Sequence, residues 1–260
     1  MNFIQSRSND KIKLLHSLLT SAKARLKNEL FVLEGARLCA DAVGFVEIVD
    51  AFFTGKALEK YKAYTSPVLK EAGQSHEIAE DLAGRISATK ASQGVFCICK
   101  TPSFLHDFEA LDPLGNYLAL ENIQDPANIG AIARSAEALG ISGLIIDGGC
   151  DIFNPKALRA AMGSSLRLKI FESEDLASSL IPIKQKGFIT LAFTPCGNPD
   201  AFKSLHTRAG NVCLIGNEGS GLSAETLKAC DIEVAIPMKG KAQSLNAAAA
   251  AAIIMWELVR

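Results

Sequence analysis

The sequence lacks the features that mark metal centres, disulfide scaffolds and membrane spans. Its seven cysteines are scattered, with no Cys-x-x-Cys pair, and its four histidines stand apart from them. This spacing predicts reduced, mostly buried cysteines in a cytoplasmic protein and no bound metal. The first residues lack the apolar segment of a signal peptide, and no charge-free run reaches membrane-spanning length. The sequence therefore gives no reason to place the protein in or across a membrane.

Net charge is almost absent as well, and its distribution is more informative than its sum. The formal net charge is −1 over 260 residues, which argues neither for nor against a nucleic-acid partner. Residues 1–28, however, carry six lysines and arginines against a single aspartate. Such a segment is suited to contacting RNA phosphates. It is equally typical of the solvated face of an amphipathic helix.

The hydrophobic pattern predicts two α/β domains joined by a linker. Residues 1–100 alternate helical and strand patterns, which indicates a small α/β/α domain. The stretch 101–116 contains Pro102, Pro113 and Gly115 and reads as the linker. In residues 117–260, continuous apolar strands alternate with helices, which is typical of a parallel sheet covered on both faces. Strands are expected at 31–34, 47–54, 94–100, 117–121, 143–146, 188–193, 211–215 and 232–236, and helices at 8–27, 35–43, 56–64, 128–139, 155–165, 175–186, 223–229 and 245–259.

Three polar loops follow strands of the second predicted domain. They span residues 122–130, with Arg134 close behind, 216–223 and 236–246. The carboxyl ends of parallel strands meet at one edge of the sheet, where open α/β sheets bind their ligands. Residues 194–197 are expected at the same edge. The sequence therefore predicts one site made from these loops.

Taken singly, the residues of these loops have plainer interpretations. The glycines at 216, 219 and 221 match neither the dinucleotide fingerprint nor a P-loop, and a tight strand-to-helix turn would explain them. Asn128 would serve as a helix cap after Asp125 and Pro126. Arg134 would form a surface salt bridge, or else a guanidinium fork for an RNA phosphate.

Together, the loops resemble the three motifs of the SpoU/TrmH family of RNA ribose 2′-O-methyltransferases. The resemblance covers residues 117–260, and the segments 6–9, 31–37 and 91–95 are similar to the family's substrate-binding domain. One departure is the alanine run after Asn246, where the family often has Val-Ser-Val. The matching residues are Asn122, Asp125, Pro126, Asn128, Gly130 and Arg134, then Gly216, Asn217, Glu218, Gly221, Leu222 and Ser223, then Ile236, Pro237, Met238, Gly240, Ser244, Leu245 and Asn246.

The resemblance implies a fold that the sequence pattern alone does not predict. The C-terminal domain would hold a trefoil knot, with the last helix threaded through a loop. The family binds S-adenosyl-L-methionine in the knot and works as a homodimer. Here the last helix carries apolar residues beyond the need of one core face, which suits a dimer interface: Ile253, Ile254, Trp256 and Val259.

The resemblance also implies a role for each site residue. Arg134 would be the central catalytic residue, which in the family is sometimes described as a general base. Because an arginine is nearly impossible to deprotonate in a protein, we expect Arg134 instead to grip a phosphate and stabilise the developing alkoxide, while the phosphate, or Glu218 through a water, takes the proton. The remaining catalytic set is Asn128, Glu218, Ser244 and Asn246. The residues expected at the cofactor are Phe193, Thr194, Gly216, Asn217, Ile236, Met238, Ser244 and Leu245. Those expected at RNA are Arg7, Lys11, Arg37, Arg134 and Arg159.

Several functions remain open within this reading. Ribosomal RNA is the first expectation for the substrate, and tRNA is the second. A non-catalytic RNA-binding protein of the same fold is a further alternative, but the presence of Arg134, Asn128 and Asn246 disfavours it. A methyltransferase acting on a base is disfavoured by the motif match.

Overall fold

The chain forms two compact units in a computed structural model that describes residues 1–89, 91–204 and 210–260. The first unit comprises residues 1–102 together with 151–166. The second comprises residues 103–150 together with 167–260.

Short strands and helices alternate along most of the described chain. The strands are β1 (Asn2–Ile4), β2 (Leu30–Glu34), β3 (Ile48–Phe53), β4 (Gln74–Ile78), β5 (Val95–Lys100), β6 (Asn116–Glu121), β7 (Gly143–Asp147), β8 (Ile170–Ser173), β9 (Ile189–Asn198), β10 (Asn211–Ile215) and β11 (Ile232–Val234). The helices are α1 (Asp10–Thr20), α2 (Ala22–Asn28), α3 (Ala36–Ala40), α4 (Gly55–Lys60), α5 (Lys62–Glu71), α6 (Glu80–Ile86), α7 (Pro126–Ala138), α8 (Pro155–Ala161), α9 (Leu176–Gln185), α10 (Ala224–Ala229) and α11 (Ala247–Val259).

The first unit is built on a mixed five-stranded sheet with the order β1-β4-β3-β5-β2. Strands β1, β4 and β3 are parallel, and β5 runs antiparallel to both β3 and β2. On one face, Ile12, Leu15 and Leu18 of α1 pack in the same buried cluster as Phe52 and Phe96. Alternating strands and helices thus produce the α/β domain that the sequence predicts, although the edge strand β1 was not foreseen.

The basic N-terminal segment forms two helices instead of the predicted single helix. Ser21 is extended (φ −131°, ψ 117°): its N–H donates to the Ser17 carbonyl, and its Oγ accepts from the Ala24 N–H. The break turns Arg25 inward, where it is 5% exposed. A continuous basic face over 8–27 is therefore not formed. The predicted helix at 56–64 is likewise divided, between α4 and α5.

Residues 151–166 pack within the first unit, although the sequence places them in the second domain. Arg25 Nε donates to Asp151 Oδ2 at 2.6 Å, and the rings of Phe31 and Phe153 lie 4.7 Å apart. Helix α8 buries Ala157 and Leu158 in the same unit, where α8 contacts β2. The flanking strands β7 and β8 belong to the second unit, so the chain leaves that unit and returns to it.

The second unit is built on a six-stranded parallel sheet with the order β11-β9-β10-β6-β7-β8. Leu180 and Ile183 of α9 pack in one buried cluster with Tyr117 and Leu214. Helices α7 and α11 contact one another, and they reach the sheet through β7 and β10 respectively. The predicted parallel sheet is confirmed, and β8 is a four-residue strand that the sequence reading missed.

None of the helices in the described residues combines the length and the hydropathy that a membrane span requires.

Arg25 provides a test of the packing of residues 151–166. Replacing Arg25 with Ala leaves Asp151 unpaired and removes the guanidinium bond to the Leu18 carbonyl, which is 2.7 Å long. Because truncating one partner of a buried ion pair is costly, we expect the free energy of unfolding to fall by about 2–4 kcal/mol. Urea unfolding followed by circular dichroism measures this change. The exposed Lys23→Ala is the control, and an equal loss in both variants would contradict the assigned packing.

Candidate functional site

The three polar loops meet at the carboxyl edge of the second unit's sheet, as the parallel topology requires. Glu218, in the loop after β10, accepts hydrogen bonds from the backbone N–H groups of Gln124 and Asp125 in the loop after β6, each 3.1 Å long. Asn246, in the loop after β11, donates to Asn128 at 2.9 Å. Side chains therefore join all three loops.

The first loop ends in a helix cap that leaves Asn128 available for other contacts. Asp125 is the N-cap of α7, accepting from the Ala127 N–H at 2.9 Å, and Pro126 occupies the first turn. The interpretation of Asn128 as the cap is therefore wrong. Asn128 lies within the first turn, is 7% exposed, and uses its side chain to contact the other two loops.

The second loop is a tight turn that only glycine permits at its first position. Asn217 and Gly221 exchange backbone hydrogen bonds of 3.0 Å, and a Cβ on Gly216 would lie 2.2 Å from the Gly221 carbonyl carbon. Asn217 Oδ1 accepts from the Gly219 N–H at 2.8 Å and so stabilises the turn from inside. The turn interpretation of the glycines is thus correct, and the same turn also presents Glu218.

Glu121 anchors the end of this turn, and the sequence reading missed it. Its carboxylate accepts from the backbone N–H of Ser223 at 2.8 Å and from the hydroxyls of Ser223 and Thr226 at 2.7 and 2.6 Å. The signal was present, since a carboxylate at a strand end faces backbone groups that need an acceptor.

A directed chain of hydrogen bonds runs from the last helix through all three motifs. Asn246 Oδ1 caps α11, accepting from the Ala248 N–H at 2.9 Å, so only its Nδ2 remains to donate to Asn128 Oδ1. Asn128 must then present its own Nδ2, which donates to Glu218 Oε1 at 2.9 Å. The helix cap thus fixes the orientation of both amides and requires an acceptor at position 218.

The pKa of Glu218 reflects this role as acceptor. Burial raises the pKa of its carboxyl, but hydrogen bonds from the Asn128 side chain and from the N–H groups of Gln124 and Asp125 outweigh burial and hold the pKa below its ordinary value. Glu218 is therefore ionised at neutral pH. Its contribution to stability is present above the ordinary pKa and is lost as the pH falls through the lowered one.

A cavity of about 550 Å³ opens between the second and third loops and the end of β9. The sequence reading missed Gln243, Ala247 and Ala250, which also line it. The two alanines lie on one side of the alanine run, so the departure from the family's Val-Ser-Val pattern puts small side chains against the cavity. All the residues expected at the cofactor are in the lining: Phe193, Thr194, Gly216, Asn217, Ile236, Met238, Ser244 and Leu245.

Arg134 lies on α7 beyond Asn128, outside the cavity lining. Its side chain is exposed, and within the described part of the chain it forms neither a hydrogen bond nor an ion pair. The surface salt bridge considered for Arg134 is therefore not formed among those residues. A guanidinium held by no protein partner is open to an external anion.

The remaining residues expected at RNA lie in the first unit and are not equally open. Arg7 and Arg37 are exposed. Lys11 is tied to Asp50 by a contact of 2.5 Å. Arg159 has its Nη1 3.9 Å from Glu34 Oε2, and its side chain is 34% exposed.

Within the described ranges, no group of histidine, cysteine and carboxylate side chains is placed to hold a metal ion. None of the seven cysteines, all within the described ranges, forms a disulfide bond, and burial raises the pKa of the Cys97, Cys99 and Cys213 thiols.

Two family models match the chain, one for each predicted domain. The SpoU rRNA Methylase family model matches residues 115–256, and the MRM3-like substrate binding domain matches residues 9–97. The chain is 30% identical to the 23S rRNA (guanosine(2553)-2'-O)-methyltransferase RlmP of Bacillus subtilis, over 99% of each chain. It is 29% identical to a tRNA/rRNA methyltransferase of Synechocystis, over 99% of this chain and 93% of the relative.

Solved structures agree with these sequence matches. The AdoMet-bound rRNA methyltransferase from Sinorhizobium meliloti superposes with a TM-score of 0.86 at 26% identity, covering 99% of this chain and 97% of the other. The SpoU methyltransferase AviRb from Streptomyces viridochromogenes, in complex with AdoMet, gives a TM-score of 0.85 at 27% identity, covering 96% and 97%.

The direction of the hydrogen-bond chain can be tested at Asn128. Replacing Asn128 with Asp removes the Nδ2 donor and sets a second carboxylate against Glu218. Adjacent carboxylates resist ionising together, so one folded-state pKa rises and stability is lost as the pH climbs through it. We expect a loss of about 2–4 kcal/mol near pH 8 and a smaller loss near pH 5, measured by urea unfolding at each pH.

Asn128→Ala is the matched control for this experiment. It removes the bond to Glu218, together with the bond from Asn246, without adding a charge, so its deficit should change little between the two pH values. A pH-independent deficit in the aspartate variant would contradict the assigned orientation of the amides.

Proposed function

The chain belongs to the SpoU rRNA methylase family, and from this membership we propose that it methylates a ribose 2′-hydroxyl of ribosomal RNA. It is an RNA ribose 2′-O-methyltransferase and uses S-adenosyl-L-methionine, as the family does. The observation that supports the site assignment best is the cavity beside the chain Asn246–Asn128–Glu218, which joins the three motifs in space.

The cavity suits S-adenosyl-L-methionine in size and charge. Its volume of about 550 Å³ is ordinary for a ligand of this size. Phe193, Ile236 and Met238 offer apolar walls for an adenine ring. Among the described residues that line the cavity, Glu218 alone carries a charged side chain, and a carboxylate is the favourable neighbour for a sulfonium.

In the proposed reaction the protein forms no covalent bond to the substrate. When bound, S-adenosyl-L-methionine supplies an electrophilic methyl group, which the ribose oxygen takes while the carbon–sulfur bond breaks. The chain's own residues must align that oxygen and stabilise its charge. We assign the charge stabilisation to Arg134, whose guanidinium would bind the adjacent phosphate and the developing alkoxide. Arginine is too basic to accept the proton itself.

The hydrogen-bond pattern favours a positioning role for Glu218 over a role as general base. Its lowered pKa makes it a poor base, since the best catalytic pKa lies near the working pH. A weak acceptor such as the phosphate suffices if the proton leaves while the oxygen–carbon bond forms, because the oxygen becomes acidic as it donates its electrons. In this proposal Glu218 holds Asn128, and Asn128 and Asn246 fix the first and third loops around Ser244.

Arg134→Ala tests the assignment of the catalytic centre. We expect kcat/KM for methyl transfer to RNA to fall about a hundred- to thousandfold, the usual cost of losing one contact to developing charge. Affinity for S-adenosyl-L-methionine, measured by calorimetry, should stay within about twofold, because Arg134 does not line the cavity. Arg134→Lys should also be poor, since a point charge does not replace a planar fork.

Arg85→Ala is the control for this series, because Arg85 is an exposed arginine of the first unit that forms a surface ion pair with Asp81. A parent rate in the Arg134→Ala variant would refute the assigned centre.

The proposal of ribosomal RNA as the substrate is based on the names of the relatives, and it can be tested in cells. RlmP of Bacillus subtilis is named for 23S rRNA, whereas the Synechocystis relative is named for either tRNA or rRNA. Mapping ribose methylation in total RNA with and without this protein distinguishes them. A site lost from ribosomal RNA supports the proposal, a site lost from tRNA redirects it, and no lost site favours a non-catalytic RNA-binding protein.

We propose that the protein works as a homodimer that pairs through α11. Ile253, Trp256 and Val259 are 39%, 58% and 41% exposed and lie along one side of that helix. Ile254 was expected on this face, but it is fully buried and belongs to the core. An exposed apolar stripe on an ordered helix is typical of a subunit interface. A second copy of this chain is the occupant we assign.

Trp256→Glu should shift the protein from dimer to monomer in sedimentation at micromolar concentration. A charge placed in an apolar interface is strongly unfavourable, and the exposed position spares the core. Trp256→Phe keeps an apolar ring and should remain a dimer. A Trp256→Glu variant with the parent's sedimentation coefficient would exclude α11 as the interface.

Two further expectations are part of this proposal, the first from the family resemblance and the second from the cysteine spacing. One is a trefoil knot with α11 threaded through a loop of the second unit. The other is a cytoplasmic location, which agrees with the reduced cysteines and with RNA as the substrate.

A further inference from the structure

The loop between β11 and α11 carries two lysines that the site described so far does not use. Lys239 and Lys241 stand on either side of Gly240, and both are exposed. The chain has no aspartate or glutamate between Glu233 and Glu257. The loop is therefore a local concentration of positive charge in a protein with almost no net charge.

These lysines lie beside the cavity without entering it. Ile236, Met238 and residues 243–246 of the same loop line the cavity, whereas residues 239–242 do not. A Cβ built on Gly240 would meet no atom within 4 Å, so this part of the loop projects into open space. Both ammonium groups thus belong to the rim of the cavity.

Neither lysine has a side-chain partner among the described residues. Within the described ranges, Lys239 and Lys241 form no ion pair and no side-chain hydrogen bond. Two other lysines of the second unit do have partners, Lys184 with Asp231 at 2.8 Å and Lys186 with Glu109 at 3.1 Å. Two cationic side chains without protein partners at the rim of a site can bind an anionic substrate.

We propose that Lys239 and Lys241 bind phosphates of the RNA strand that flanks the methylated ribose. This inference rests on the proposed function, because the ribose that receives the methyl group must reach the cavity and its strand must cross the rim. A lysine is a mobile point charge, suited to holding a phosphate without reading sequence. The pair therefore sets affinity and strand position while Arg134 acts at the reacting nucleotide.

A different ligand for the lysines is the carboxylate of S-adenosyl-L-methionine. The lining disfavours it, because residues 239–242 take no part in the cavity. Separate titrations with the cofactor and with RNA distinguish the two ligands.

The test compares two double variants of the full-length protein. Lys239→Gln/Lys241→Gln removes the rim charges. Lys169→Gln/Lys228→Gln removes two equally exposed lysines of the same unit. Lys169 precedes β8 and Lys228 lies in the last turn of α10, so both stand at the amino edge of the sheet, opposite the site. Both variants therefore lose two positive charges, and they differ only in where those charges lie on the second unit.

The probe is transcribed 23S ribosomal RNA, titrated by filter binding at several salt concentrations. We expect the rim variant to lower the slope of log affinity against log salt by about 1.5, and to weaken binding on the order of tenfold at low salt. The control variant should keep the parent's slope. In methyl transfer to the same RNA, the rim variant should raise KM and leave kcat within about twofold.

Three outcomes would overturn this inference. They are an unchanged salt slope in the rim variant, an equal loss of slope in the control variant, and a loss of S-adenosyl-L-methionine affinity that matches the loss of RNA affinity. Methyl transfer by the parent protein is measured in the same experiment. If that transfer is absent, the proposed function fails; if it is present and the rim lysines have no effect, only this inference fails.

Discussion

The capping of one helix governs the geometry of the whole site. Asn246 must accept from the first N–H groups of α11, because those groups have no partner within the helix. That requirement leaves only the Nδ2 of Asn246 to bond Asn128, which accepts through Oδ1. Asn128 therefore donates through its own Nδ2, and residue 218 must supply an acceptor. A glutamine at position 218 would have to turn its oxygen toward Asn128 and two backbone N–H groups at once, whereas an ionised carboxylate does so in either orientation.

This constraint explains why polar residues cluster where a turn alone needs only glycine. The turn from Gly216 to Gly221 closes through backbone hydrogen bonds, and Asn217 stabilises it internally. Glu121 and Glu218 then secure the turn at its two sides, one toward α10 and the other toward α7. Carboxylates that accept several N–H groups are strong local restraints. These hydrogen bonds restrain the side of the cavity that the second loop forms.

The sequence was sufficient for the parallel sheet and for the loops that share its edge, since both follow from the strand pattern and from the direction of parallel strands. The sequence was not sufficient to predict which of several similar side chains caps a helix or is buried. Asn128 was a plausible cap until Asp125 proved to hold that position. Arg25 belonged to a basic face until the break at Ser21 turned it inward. Ile254 was one of four apolar residues on α11, and only packing shows which face meets the core. Periodicity shows that a helix has an apolar face. It does not show which of two side chains caps the helix, or which apolar residues of the helix meet the core.

The placement of residues 151–166 has a consequence for the order in which the protein is completed during synthesis. The first unit lacks part of its packing against β2 until Asp151, Phe153 and α8 have been made, although its last strand ends at Lys100. At translation speeds of about 5–20 residues per second, residue 166 follows residue 102 by several seconds. During that interval Phe31 and Arg25 lack the partners that they have in the finished protein. The nascent first unit thus exposes residues that are buried in the finished protein. They are accessible to the ribosome or to a chaperone before the sheet of the second unit is complete.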